Sequence, residues 1–262
     1  MQYMILRRAD QLSESTRLSA DESELLSATL KSSESAVRLT LRNGEVSVTE
    51  GPFPDPSEMI AGFAIIDVPG KQEAIAWLKR WPATDHPVEL EIRESGCPGG
   101  CAQIVAVNLP DAKGKRFAVL LRQSAELEAE VPVPQQKLDT LNAHNAAEAA
   151  AGVLLAADGL RTSARGARVK VSKSAFSVVD GPFIEIKEMI AGFWLIRVPA
   201  MEDAIAWARR NPYPAGPDVD VEIRELFETS QDISQFTPDL EAAEQRIRAE
   251  QLEAGMRAHF TA

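Results

Sequence analysis

Two stretches of this 262-residue chain repeat each other 130 positions apart. They read Glu50-Gly-Pro-Phe-Pro-Asp-Pro-Ser-Glu-Met-Ile-Ala-Gly-Phe63 and Asp180-Gly-Pro-Phe-Ile-Glu-Ile-Lys-Glu-Met-Ile-Ala-Gly-Phe193. Between residues 50–82 and 180–212, 18 of 33 aligned positions are identical. A repeat of this length is a whole domain and not one unit of a solenoid. The sequence therefore predicts a tandem duplication of one domain.

The duplication divides the chain into two copies, a linker and a tail. We predict a first copy over residues 1–94, a linker over 95–115, a second copy over 116–228 and a helical tail over 229–262. Each copy is long enough to fold around a core of its own. Thr237 stands before a proline and acid-rich sequence, which is typical of the start of a helix.

The composition is that of a soluble globular protein with an acidic surface. Hydrophobic residues make up 45% of the chain, charged residues 26%, and the net charge is −11. A negative surface repels phosphate backbones, so we expect no nucleic acid partner. No apolar run reaches the length of a membrane-spanning helix, and the first eight residues become charged too early for a signal peptide. We therefore expect a cytoplasmic protein with no membrane partner.

The residue pattern of the second copy predicts the order β-α-β-β-β-β-α-β, which is typical of an α+β sandwich. Its last strand, Val219–Arg224, alternates strictly, so the apolar side chains point to one face and Asp220, Glu222 and Arg224 to the other. The strand Val88–Arg93 repeats this alternation in the first copy. We expect the apolar face to meet the helices and the charged face to meet water or a polar cleft.

The first copy is shorter than the second between its first strand and Leu30. The alignment offset is 114 before this interval and 130 after it, which leaves a deficit of 130 − 114 = 16 residues. The second copy has a predicted helix here, Gln135–Ala151, followed by a strand within residues 152–160. In the first copy only Asp21–Leu30 remains, which we predict to be one short helix. The first copy is thus expected to have lost part of the helix and the strand after it.

Four segments of the second copy carry a resemblance to a known family. They are Val179-Asp-Gly-Pro-Phe-Ile-Glu-Ile-Lys-Glu188, Gly192–Val198, Ala204–Ala208 and Val221–Arg224. In these segments the chain closely resembles the DGPF proteins of the YCII-related family, and the first copy is similar to a degenerate member over Gln2–Glu94. The resemblance implies two ferredoxin-like sandwich domains of the α+β class, paired as in a dimeric α+β barrel. The pairing would be within the chain, with a homodimer as a further arrangement.

The resemblance also implies a candidate active site at Asp180. In the family, an acidic residue at this position, with a nearby histidine in some members, has been thought to mark an active site. Some bacterial members are associated with alternative sigma factors. The histidines of this chain, His86, His144 and His259, are not repeated between the copies. Asp180 is therefore our candidate catalytic residue, as a general base.

A purely structural interpretation of the same residues is equally complete. Gly181 allows a positive φ, Pro182 restricts its own φ, and Phe183 can pack into the core. Asp180 could then accept backbone N–H groups of this rigid corner.

Around Asp180 we predict a binding site for a small polar molecule. Its candidate residues are charged or aromatic: Glu50, Phe183, Glu185, Lys187, Glu188, Glu222 and Arg224. An arginine on a sheet face suits a bidentate carboxylate or phosphate contact, and it also suits an ion pair with a neighbouring glutamate. A solvated turn is the alternative for Glu185–Glu188. The sequence has no glycine-rich phosphate loop and no metal triad, so we expect no cofactor and no metal.

The linker contains both cysteines of the chain, Cys97 and Cys101. We interpret them as two thiols in a flexible segment. A disulfide, or two of the four ligands of a structural zinc, are the alternatives.

The predicted function is the binding of a small polar molecule, with acid–base chemistry at the Asp180 corner. The alternative is a non-catalytic interaction or regulatory protein, for example an accessory of the transcription machinery. The degenerate first copy and the acidic tail favour this alternative.

Overall fold

The computed structural model describes residues 1–8, 24–55, 58–81, 87–104, 113–215 and 218–227. The predicted tail, with Thr237 and His259, and the loop residue His86 lie outside these ranges. The elements within them are β1 (Gln2–Arg8), β2 (Glu24–Thr29), β3 (Val37–Arg42), β4 (Glu45–Glu50), β5 (Ile60–Asp67), α1 (Lys71–Leu78), β6 (Val88–Glu94), β7 (Lys115–Arg122), α2 (Ala125–Glu128), α3 (Gln135–Ala150), β8 (Leu154–Gly159), β9 (Ala167–Val171), β10 (Phe176–Asp180), β11 (Ile190–Val198), α4 (Met201–Arg210) and β12 (Val219–Glu225).

Each copy contributes four antiparallel strands in the same order. The first copy forms β6-β1-β5-β2 and the second forms β12-β7-β11-β8. In both copies the first strand is central and pairs with the last, which is the ferredoxin-like arrangement. The predicted fold class, α+β with two ferredoxin-like domains, is confirmed. None of the helices in the described residues is long and apolar enough to span a membrane.

The two copies exchange their hairpins. The hairpin β3–β4 of the first copy pairs with β12, so that Leu39 lies opposite Val221. The hairpin β9–β10 of the second copy pairs with β6, so that Val169 lies opposite Leu90. Each sheet therefore has six strands, four from one copy and two from the other. Closure of the two sheets into a barrel stays a prediction.

Three apolar cores hold this arrangement together. The core under α3 and α4 contains Val37 and Leu39 from the first copy, and the core under α1 contains Val169 from the second. The third core lies between the two sheets, where the rings of Phe63 and Phe193 are 5.5 Å apart. Each sheet thus packs helices on its outer face and the other sheet on its inner face.

The prediction that Asp21–Leu30 is a helix, and that the first copy lost the strand after it, is wrong. Residues 24–29 form β2, which pairs with β5 just as β8 pairs with β11. Leu26, Ala28 and Leu30 face the core between the sheets, a period of two that is typical of a strand. The open edge of β5 supplies backbone partners, and this tertiary pairing decides the conformation of a short ambiguous segment.

The exchange predicts that a first-copy side chain stabilises the core of the second copy. Leu39 is fully buried under the helices of the second copy. We expect Leu39→Ala to lower the free energy of unfolding by about 2–5 kcal/mol. Urea unfolding followed by tryptophan fluorescence measures this loss, because Trp194 and Trp207 lie in the same core.

The matched control is Val48→Ala on β4, where the side chain is exposed. We expect this change to stay within about 0.5 kcal/mol of the parent protein. If both variants unfold alike, the exchanged hairpin does not support the second core.

Candidate functional site

The inner residues of the charged faces of β6 and β12 are buried, contrary to the prediction, while Glu89 and Asp220 at the starts of these faces stay partly exposed. The exposed fraction of Glu91 and Arg93 is 0%, and that of Glu222 and Arg224 is 1%. The opposite sheet and the exchanged hairpins cover these side chains. Buried charges are stable only when they are paired and hydrogen-bonded, so the partners of these four residues define the local chemistry.

Three arginines surround the carboxylate of Glu91. Its Oε2 accepts from Arg8 at 2.6 Å and from Arg168 at 3.1 Å, and its Oε1 accepts from Arg93 at 3.2 Å. Burial alone would raise the pKa of the Glu91 carboxyl, but the guanidinium charges hold this pKa below its usual range. Arg168 comes from the exchanged strand β9, so this ion pair joins the two copies.

The same network recurs around Glu222. Its carboxylate accepts from Arg38 at 2.9 Å and from Arg224 at 3.1 Å, and Arg122 lies 3.8 Å away. Arg38 belongs to the exchanged strand β3, as Arg168 belongs to β9. Arg224 therefore pairs with a neighbouring glutamate, which was the alternative to a ligand contact. A binding role for Glu222 and Arg224 stays a prediction.

The buried arginines also bind backbone carbonyls of the other copy. Arg93 donates to the carbonyls of Ile190 at 3.2 Å and Arg161 at 2.7 Å. Arg224 donates in the equivalent way to the carbonyls of Ile60 and Lys31. The last strand of each copy is thereby attached to the backbone of the other copy.

Arg8 and Arg122 hold the loops that follow the two Gly-Pro-Phe corners. We call residues 51–55 with Glu58 the first loop and residues 181–188 the second loop. Arg122 donates to the carbonyl of Glu58 in the first loop and to that of Lys187 in the second, both at 2.9 Å. Arg8 donates to the carbonyl of Glu188 at 2.9 Å. One guanidinium group thus bridges the two loops.

The two loops together line an open groove of about 440 Å³. Its lining residues are Asp55, Glu58, Ile184, Glu185, Ile186, Lys187 and Glu188. The structure therefore brings three predicted site residues together: Glu185, Lys187 and Glu188. Asp55 and Glu58 were missed, although the repeat aligns them with Glu185 and Glu188 and could have indicated them.

Arginines from the exchanged strands support the carboxylates of the groove. Arg168 lies 3.1 Å from Glu185 and 3.3 Å from Glu188. Arg38 lies 2.7 Å from Glu58. The wall of the groove is therefore an extension of the two buried networks.

The corner itself is built for close packing. A Cβ atom on Gly181 would lie 1.9 Å from the carbonyl oxygen of Ser163, so only glycine fits. Gly181 has no positive φ, and close approach is the reason for the glycine. Phe183 is buried, its backbone N–H donates to Ser163 Oγ at 2.9 Å, and the Arg168 guanidinium stacks on its ring. These contacts of Phe183 therefore fix the second loop to the protein interior.

Asp180 lies outside the lining of the groove. Its side chain is 65% exposed and its Oδ1 lies 2.7 Å from Lys71 Nζ, at the start of α1. Within the described residues, the Asp180 carboxylate accepts a hydrogen bond from this lysine and not from the backbone of the corner. The histidine that lies within the described residues, His144, packs against the ring of Trp207, and burial lowers the pKa of its imidazole. Glu50 is exposed at the end of β4.

A further carboxylate, Asp158, was missed by the sequence analysis. Burial raises its pKa to about 6, although the N–H of Gly159 and the amide of Gln103 favour its ionised form. The aligned residue of the first copy is Ala28, so the repeat marks this carboxylate as particular to the second copy.

Cys97 and Cys101 form a disulfide, so their interpretation as two thiols is wrong. The segment between them turns back on itself, since the N–H of Gly100 donates to the carbonyl of Cys97 at 2.9 Å. Gly100 has a φ of +83°, which favours glycine at this turn. Among the residues that the structure describes, no cluster of three or more His, Cys, Asp or Glu side chains could hold a metal ion.

Comparison with known proteins finds one family for both halves of the chain. The model of the YCII-related domain matches residues 1–94 and again residues 116–229. No curated protein matches the chain.

The buried network predicts a large loss of stability when one carboxylate is neutralised. Glu91→Gln removes the counter-charge shared by the buried Arg8 and Arg93 and the partly exposed Arg168, and we expect the free energy of unfolding to fall by about 3–5 kcal/mol. Because the pKa of Glu91 is lowered in the folded state, this contribution is complete above the pKa of the unfolded chain and is lost as the pH falls. Urea unfolding at about pH 7 and about pH 3.5 should show the gap between parent and variant narrowing in acid.

The control for this change is Glu89→Gln on the same strand. Glu89 is partly exposed and pairs with Lys170 at 3.1 Å. Such pairs contribute at most about 1 kcal/mol. Equal losses for the two variants would contradict a special role of the buried network.

The raised pKa of Asp158 predicts the opposite dependence on pH. A carboxyl group whose pKa rises on folding, here from 3.8 to about 6, lowers stability as the pH rises through that window. We expect Asp158→Asn to stabilise the protein by about 1–2 kcal/mol near pH 7, after allowance for partial exposure, and to have no effect near pH 3.5. Thermal unfolding at the two pH values checks this, and a gain that persists in acid would contradict it.

Proposed function

Because the chain belongs to the YCII-related family through both of its copies, we propose that it binds a small polar molecule in the groove between its two loops. The observation that carries the proposal is the shared lining of this groove. Charged side chains of both copies line it, and buried arginines hold both loops in place. A wall that is fixed before binding does not have to be ordered by the ligand, which favours affinity.

The charges of the groove favour a ligand with a cationic group. The lining contains four carboxylates and one lysine. Glu185 is the most accessible of the paired carboxylates, with 44% of its side chain exposed, so its ion pair with Arg168 contributes less than a buried pair would. A ligand ammonium or guanidinium can therefore take the place of Arg168 at low cost. Ile184, which is 88% exposed, offers an apolar surface to the carbon skeleton of the ligand.

Acid–base chemistry at Asp180 is a separate part of the proposal. Its carboxylate is accessible and is held 2.7 Å from Lys71 Nζ, and an accessible, positioned carboxylate is a candidate general base. Asp180 is not in the lining of the groove, so binding does not depend on it. We expect Asp180→Asn to leave binding in the groove unchanged and to lower any acid–base turnover at the corner itself.

The alternative function, a non-catalytic interaction or regulatory protein, has an observation of its own. In the described residues, β10 is the last strand of its sheet, and Val178 and Val179 are exposed on it. An open strand edge with exposed apolar side chains is a surface on which another protein can add a strand. A pull-down with and without residues 237–262, and with Val179→Lys, tests this function. A partner lost with either change favours it.

Calorimetric titration with 1,4-diaminobutane at low salt tests the groove. We expect saturable binding, no binding of 1-butanol, and a loss of affinity of about fivefold or more in Glu185→Gln. Glu126→Gln, an exposed glutamate on α2 outside the groove, is the matched control and should bind as the parent protein does. Native mass spectrometry of the purified protein then identifies a retained amine. Equal affinities for the two variants, or no binding of the diamine, would refute the proposal.

A further inference from the structure

The second copy contains a cavity that is separate from the groove. It has a volume of about 60 Å³ and lies between α3, the sheet and the disulfide segment. Most of its lining is apolar, including Leu121, Leu141, Ala157 and Trp194. It shares no lining residue with the groove. Because one water takes about 30 Å³ of liquid volume, a cavity of this size has room for about two waters, or for one guest of about four heavy atoms.

The disulfide segment closes this cavity. The N–H of Ala102 donates to Asn142 Oδ1 on α3 at 2.8 Å, and Ile104 bridges to Ala157 on β8. A Cβ atom on Gly99 would lie 3.0 Å from Leu138, so the segment packs tightly on the helix. Cys97 and Cys101 both belong to the lining. The linker between the copies is therefore a wall of the cavity.

One polar side chain in the lining has an unused donor. Asn145 on α3 is only 3% exposed, and its Oδ1 accepts from the indole Nε1 of Trp194 at 3.2 Å. Because an indole nitrogen can only donate, this bond fixes the orientation of the amide. Among the described residues the Asn145 amide nitrogen has no hydrogen-bond acceptor. This nitrogen is not completely enclosed by protein atoms. The open space that it meets in the lining is the cavity.

The charged residues of the lining are already engaged. Glu130 accepts from Arg161 and from the backbone N–H of Thr162. Asp158 accepts from Gly159 and from Gln103. Among the residues that the structure describes, the lining contains no lysine, arginine or histidine, so an anion would be buried without a counter-charge, which is costly. A guest therefore meets apolar walls and one amide donor.

We propose that this cavity binds an uncharged molecule of about four heavy atoms that carries one hydrogen-bond acceptor, such as a small ketone. Its carbon atoms pack against Trp194, and the acceptor takes the free N–H of Asn145. This site is a property of the second copy, because Ala64 occupies the position of Trp194 in the first copy. It does not depend on the groove, which takes a different class of ligand.

Nuclear magnetic resonance of the tryptophan indole N–H groups tests the site with acetone. We expect a saturable shift of the Trp194 signal at millimolar concentration, with the Trp77 signal of the first copy unchanged. The hydrocarbon 2-methylpropene has the same shape without the acceptor, and we expect it to bind about three- to tenfold more weakly. Acetate should not bind.

The variant Asn145→Asp removes the hydrogen-bond donor of residue 145 and keeps the size of the side chain. It keeps an oxygen for the indole of Trp194 and removes the donor, so we expect the preference for the ketone over the hydrocarbon to disappear. Asn142→Asp is the matched control, since Asn142 uses only its oxygen, towards Ala102, and should keep the preference. Circular dichroism confirms that each variant is folded. An unshifted Trp194 signal, equal affinity for ketone and hydrocarbon, or a preference that survives in Asn145→Asp would each overturn the proposal.

Discussion

The constraint on which the structure depends is that two carboxylates on central strands must be buried. Glu91 and Glu222 each lie on the last strand of a copy, on the face that the opposite sheet covers. Neither can be buried alone, and each finds one arginine on a strand of the other copy, Arg168 or Arg38. Each copy carries the equivalent arginine on its own hairpin, so the chemistry of the pair is the same in either arrangement. In the exchanged arrangement, each ion pair joins the two copies and holds them together.

The same arginines connect the interior to the surface. Arg168 contacts Glu91 in the interior and Glu185 and Glu188 in the groove, and Arg38 joins Glu222 to Glu58 in the same way. Because the inner ends of these side chains are buried, the carboxylates at their outer ends have restricted positions. The groove is thus a consequence of how the copies are held together, and both copies are needed to form it.

The two copies have kept the framework and have diverged at the sites. The glutamate–arginine networks, the Gly-Pro-Phe corners and the stacking of Arg38 on Phe53 and Arg168 on Phe183 are present in both. Lys187, Trp194 and Asp158 have no chemical equivalent in the first copy, where Ser57, Ala64 and Ala28 stand. A duplicated domain can diverge in this way, because one copy can lose its own site while it still supplies a strand and an arginine to the other.

The amino-acid sequence by itself determined the duplication, the fold class and most element types, because these depend on periodicity and local patterns. The repeat of Gly-Pro-Phe aligned the two copies, and the alternation in Val219–Arg224 identified the last strand and the face that meets the helices. Only the tertiary structure decided that the other face is buried, that residues 24–29 form a strand, and which residues line the groove and the cavity. The reason is that burial and strand pairing depend on residues far apart in the chain, here on hairpins that cross from one copy to the other.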